Sequence, residues 1–200
     1  MTILIYIKSF FFKIILQFLG VKIGKKFICR YFPDLRVLGK YSNICFGNNV
    51  HILGKIDLRN RGLGSIEFCD NVKIEEQCRF VTASSGYIMI CDNTIITRGT
   101  IMNGGGNIKI ERNCIIGPYN LINANDHYIK NKNRVIDRQF IHGDVLIEED
   151  CWTGAFVSIM HSTKIKKGSV IGAYSFVNKD TDEYSVNVGV PAKKIKSRLD

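Results

Sequence analysis

Of the four histidines in this 200-residue chain, one stands where an otherwise regular pattern breaks. His127 closes the segment Asn123-Ala-Asn-Asp-His127, and the irregular excursion 126–144 starts beside it. Imidazole titrates near neutral pH, so a side chain placed there can take the proton of an alcohol that otherwise attacks an acyl group slowly. The plain alternative is a solvated loop histidine. His142 ends the excursion within range of the same chemistry, but it is not the expected base; His51 and His161 read as surface residues. A histidine base also needs a partner for its second nitrogen. Asp126 is adjacent, yet neighbouring side chains on an extended chain point apart. Asp137, Asp144 and a backbone carbonyl remain open alternatives.

A second candidate is the cationic run Lys193-Lys-Ile-Lys-Ser-Arg198. The chain has a formal net charge of +10, which suits an anionic partner. Nucleic acid, an anionic membrane surface and a phosphorylated cofactor all satisfy that sign. No interleaved aromatic and basic platform supports nucleic acid, and Gly104-Gly-Gly106 is a turn rather than a nucleotide loop. A solvated basic tail is the bland reading. Seven cysteines are scattered with no C-x-x-C pair, which argues for apolar fillers in a reducing, cytoplasmic setting and against disulfides or a metal site.

The elements that must position these residues follow a period of six, which is neither the strand nor the helix rhythm. Ile147, Thr153, Ile159, Ile165, Ile171 and Val177 stand six apart, each preceded two residues earlier by a small or β-branched residue or a cysteine. The frame recurs upstream in sets of three: Phe46, Ile52, Leu58; Phe68, Ile74, Phe80; Ile90, Ile96, Met102; Ile110, Ile116, Ile122. Thr153 alone departs from a large apolar type. A hexad that turns two side chains inward and then bends makes one side of a triangular prism, and three close a coil. Asp70-Asn71, Asp92-Asn93 and Arg112-Asn113 fit the corners, and Gly47, Gly117, Gly154 and Gly172 relieve crowding after an inward position. Trp152 follows an inward Cys151 and therefore points outward.

This pattern resembles the hexapeptide-repeat acyltransferases, in their galactoside, maltose, Nod-factor and polysaccharide O-acetyltransferase branch. The carrying motifs are Val145-Leu-Ile-Glu-Glu-Asp-Cys-Trp-Thr-Gly154, Val177-Asn-Lys-Asp180 and Val188-Gly-Val-Pro-Ala-Lys193. Glu148, Thr153 and Lys166 depart from the family's usual Gly, Ile and Gly. The resemblance implies an all-β, left-handed parallel β-helix of about six coils, an exception to the right-handed crossover rule. It also implies acetyl-CoA as co-substrate, without a metal; the flat coil sides and an outward Trp152, which need covering, predict a homotrimer with its sites between prisms. By resemblance His127 deprotonates an acceptor hydroxyl and Asn103 supports the oxyanion, a corner-capping Asn103 being as good a reading. Trp152 lines a groove against the thioester arm or the acceptor, or simply packs subunits. Ala155 and Ala173 offer backbone contacts to pantetheine, Asn178 and Lys179 line the same groove, and Lys193 and Lys196 hold the adenosine phosphates.

The expected layout is a helical and irregular cap over 1–43, the β-helix over 44–181 and a closing tail over 182–200. Residues 3–19, ILIYIKSFFFKIILQFL, predict an amphipathic helix packed on the body, with a helix in the inner membrane interface as the rival. The function implied is O-acetylation of a sugar hydroxyl, with a surface polysaccharide as the carbohydrate acceptor. The alternatives are N-acetylation of an amino sugar or antibiotic, and a non-catalytic scaffold at the membrane.

Overall fold

Because each hexad allows only a few extended residues before its corner, the strands are short, most of two to four residues. The computed structural model describes residues 3–130, 132, 134–137 and 139–200. They wind as a left-handed parallel β-helix of three faces. The second coil shows the scheme: Ile44–Phe46 on the first face, His51–Ile52 on the second, Asp57–Asn60 on the third. Stacking in register is direct, with Ile44 beside Ile66, Ile52 beside Ile74 and Leu58 beside Phe80.

Inward positions form one continuous core. Phe27, Phe46, Phe68 and Phe80 follow one another through it, with ring centroids 5.3, 5.2 and 5.0 Å apart. Isoleucines such as Ile90, Ile96, Ile110 and Ile116 continue it, all fully buried. At one corner Asn49, Asn71, Asn93 and Asn113 adopt φ of 55, 61, 58 and 62°, the left-handed region that asparagine tolerates. Their amides form a ladder, each Nδ2 donating to the Oδ1 of the next at 2.8, 3.1 and 3.1 Å. Gly117 has a different reason to be glycine: a Cβ there would strike the backbone of Gly154 in the coil above.

Thr153, the odd residue of the repeat, also has a partner. Its Oγ1 accepts from Asn120 Nδ2 at 2.6 Å and from the Gly117 N–H at 3.1 Å, while Asn120 Oδ1 accepts the Val157 N–H at 2.7 Å. Both side chains are buried. Asn120→Ala strands the Val157 N–H in the interior, so a loss of about 2–3 kcal/mol is expected in urea unfolding. A loss below about 0.5 kcal/mol would mean that another group satisfies that N–H.

The β-helix begins earlier than expected. Residues 22–37, assigned from sequence to the cap, form a first coil with strands Lys22–Ile23, Ile28–Cys29 and Asp34–Val37, which makes about seven coils rather than six. The frame was present in Ile23, Cys29 and Leu35. A cysteine in a large apolar slot and Pro33 two residues before Leu35 concealed it. The cap proper is the helix Ile3–Phe18, whose Leu16 enters the core at the open end of the prism.

Cys29, Cys78, Cys114 and Cys151 are buried, and all seven cysteines are free. Burial pushes the thiols of Cys29 and Cys78 up to about 12, as apolar fillers require. At the far end Ser185–Val188 adds a strand to the second face, and Lys193–Ser197 pairs with it antiparallel. Arg198 ties this tail down by donating to the carbonyls of Asp150 and Gly168 at 3.1 and 3.0 Å.

Candidate active site

The winding is interrupted once, after the fifth coil, at the corner between the third face and the first. There Asn125–His127 pairs antiparallel with Phe140–His142. Asn125 faces His142 and His127 faces Phe140 across this ribbon, so strand alternation puts all four side chains on one side and Asp126 on the other. The His127 ring lies 4.5 Å from the Phe140 ring, and the Phe140 and His142 rings are 6.3 Å apart.

That side of the ribbon overlooks a cleft of about 450 Å³ lined by Arg61, Asn103, Asn125, Phe140 and His142, among others. Asn103 and His142 therefore line one cleft, while His127 borders it through Phe140. His142, set aside in the sequence reading, lies in the cleft because Gly105 has no side chain: a Cβ at Gly105 would collide with the imidazole. The glycine triplet 104–106 facing the excursion was the available signal.

Among the described residues, His127 Nδ1 is buried and has no hydrogen-bond partner. None of the three carboxylates weighed from sequence reaches it. Asp126 Oδ1 accepts the backbone N–H of His127 itself at 2.7 Å, Asp137 pairs with Arg134 at 2.7 Å, and Asp144 accepts the Asn107 N–H at 2.9 Å. An orphaned buried nitrogen of this kind costs about 1–3 kcal/mol.

The residues assigned to the cofactor collect elsewhere. Trp152 projects from the second face with 52 % of its surface exposed. Its outward column runs His51, Lys73, Ile95, Ile115, Trp152, Val170, turning from polar to apolar halfway along the prism. Ala155 and Ala173 sit on the corner where the chain leaves that face, and the Ala155 carbonyl accepts the Tyr174 N–H at 2.9 Å. On the same corner Tyr119, Phe156 and Tyr174 stack with centroids 5.1 and 5.0 Å apart, a ladder the sequence reading missed although the three share one hexad place. Lys193 and Lys196 lie beside Val188 and Val186 at the end of the second face. Among the described residues neither forms an ion pair. Asn178 and Lys179 do not join them as the sequence predicted: they are exposed just past the end of the third face, on the corner that in an earlier coil carries the ribbon, because between Ala173 and Asn178 the chain has crossed the third face.

Within one chain, then, the His127 ribbon and the Trp152 face are separated by a whole side of the prism, roughly 17 Å for five extended residues. The third face lies between them.

A three-faced solenoid carrying these motifs defines the class of β-helical transferases. The family model "Bacterial transferase hexapeptide (six repeats)" matches residues 144–179. The dTDP-4-amino-4,6-dideoxy-D-glucose acyltransferase of Escherichia coli is 31% identical over 158 residues, which is 76% of this chain and 81% of that protein. A probable acetyltransferase of Mycobacterium tuberculosis is 29% identical over 119 residues, 59% of this chain; the match spans only 40% of that longer relative. A hexapeptide-repeat acetyltransferase of Vibrio cholerae O1 biovar eltor, solved with acetyl-CoA, superposes with a TM-score of 0.53 at 31% identity, covering 55% of this chain and 60% of that one. The chain belongs to the hexapeptide-repeat acyltransferase family.

Proposed function

We propose that the protein transfers an acetyl group from acetyl-CoA to a sugar hydroxyl, the acceptor being part of a surface polysaccharide. The observation that carries this reading is His127, a half-buried imidazole held on a paired ribbon beside a cleft, against the Phe140 ring that lines it. A sugar hydroxyl is almost fully protonated at neutral pH and attacks a thioester only as a base removes its proton. In the proposed step His127 takes that proton as the hydroxyl oxygen bonds to the thioester carbonyl carbon. The carbon–sulfur bond then breaks, and the departing thiolate receives the proton back from the imidazolium. Asn103 supplies an amide donor for the transient oxyanion.

We further propose a homotrimer, in which the ribbon corner of one chain meets the second face of the next. Two facts support it: the half-sites stand a prism side apart, and the column from Ile95 to Val170 leaves apolar surface uncovered around Trp152. Acetyl-CoA then lies along that seam, with its phosphates at Lys193 and Lys196.

The test is thiol-monitored release of CoA from acetyl-CoA with a panel of sugars bearing only hydroxyls or also an amine, alongside light scattering. CoA release driven by hydroxyl sugars, from a particle three times the 22.7 kDa chain, is expected. The E. coli relative acts on an amino sugar, which favours N-acylation as the second reading. Turnover restricted to amine-bearing acceptors would establish that reading instead.

A further inference from the structure

The helix Ile3–Phe18 is apolar around nearly its whole circumference, yet the prism covers only one side of it. The covered line is Ile5, Ser9, Phe12 and Leu16. Leu16 is fully buried, Phe12 meets Phe32 edge-on at 5.5 Å, and Ser9 Oγ accepts the Cys29 N–H at 2.9 Å. At about 100° per residue, Ile3, Ile7, Phe10, Phe11, Ile14 and Phe18 fall on the opposite arc. Their exposures are 80, 49, 62, 58, 47 and 92%. Lys8 and Lys13 fall on the two flanks between arc and prism, and Lys13 Nζ donates to the Gly24 carbonyl.

Sixteen helical residues extend about 24 Å, short of the roughly 30 Å needed to cross a bilayer. Lying flat remains. The charge around the helix selects the surface: Lys8, Lys13, Lys22, Lys25, Lys26 and Arg30 precede Asp34, the first carboxylate of the chain. Lys22, Lys25, Lys26 and Arg30 are exposed on the coil that the helix covers. A second copy of the same end would bring these cations against their own kind. Anionic headgroups oppose them with the right sign while the acyl boundary takes the apolar arc.

We propose that this end of the prism docks on an anionic lipid bilayer, with the helix lying in the interface and its outer arc immersed. Four coil spacings of about 4.8 Å and the roughly 10 Å thickness of the helix layer then hold the His127 ribbon about 30 Å above the surface. The docking does not depend on the acyl-transfer reading, and flotation measures no turnover, so either can fail alone.

The full chain is floated with vesicles of phosphatidylcholine, with and without one third phosphatidylglycerol, at low and high salt. Recovery with the anionic vesicles, reduced by salt and by removal of phosphatidylglycerol, is the expected result. Phe10→Gln with Phe11→Gln touches no core residue and should melt like the parent while lowering recovery by about tenfold or more. Lys25→Glu with Lys26→Glu should remove the preference for anionic vesicles. Unchanged flotation of the folded phenylalanine variant overturns the proposal, as does equal binding to neutral vesicles. So does a chain that fails to float and instead pairs through this helix in light scattering.

Discussion

His127→Ala is expected to lower kcat by about 10²–10⁴-fold, the range set by removing a positioned general base. The fold should survive, because the ribbon is held by backbone pairing of His127 with Phe140 and by the Tyr128 N–H donating to the Gln139 carbonyl at 3.0 Å. The KM for acetyl-CoA should move little, since the proposed contacts to its phosphates and pantetheine, Lys193, Lys196, Ala155 and Ala173, lie on or beside the second face and not on the ribbon. His142→Ala serves as the control. That ring packs over Gly105 in the cleft beside the ribbon, so, with the acceptor bound there as proposed, its loss should raise the acceptor KM and spare most of kcat. Should His127→Ala keep near-normal turnover while His142→Ala loses it, the base would be His142 and the proposed step would be wrong in its central residue.

Phe68→Ala should destabilise the protein by about 3–5 kcal/mol. Phe68 is fully buried, stacked on Phe46 in the coil below at an interplanar angle of 6° and edge-on to Phe80 at 88°. Each coil of a solenoid contacts only its neighbours, so no distant element can move in to fill the gap. At about 2–4 °C per kcal/mol for a chain of this size, the melting temperature should fall by about 6–20 °C. Phe68→Leu, which keeps most of the volume, should cost less than about 1.5 kcal/mol. Comparable losses for the two variants would show that ring geometry, rather than filled volume, holds the column.

The exposed apolar arc of the helix Ile3–Phe18 illustrates a limit of reading periodicity alone. Residues 3–19 predict an amphipathic helix packed on the body, with a lipid interface as the rival, because the same broad apolar face serves both. The prism end can cover one line of side chains, and coverage is a property of the packed structure. His142 is a similar case. Its place in the cleft depends on a glycine 37 positions earlier in the chain, a coupling that no local rule connects.

By itself the sequence determined the winding, the inward residues, the asparagine corners and the point where the coil opens at His127. These are legible because a repeat writes the same local constraint many times, so a few exceptions cannot hide it. Tertiary structure decided the contacts between coils and what lies against the excursion. It paired Thr153 with Asn120, turned residues 22–37 into a first coil and put His142 in the cleft that Asn103 lines. It also separated the His127 corner from the Trp152 face. Such contacts join residues far apart in the chain, and they occur once each, so no period announces them.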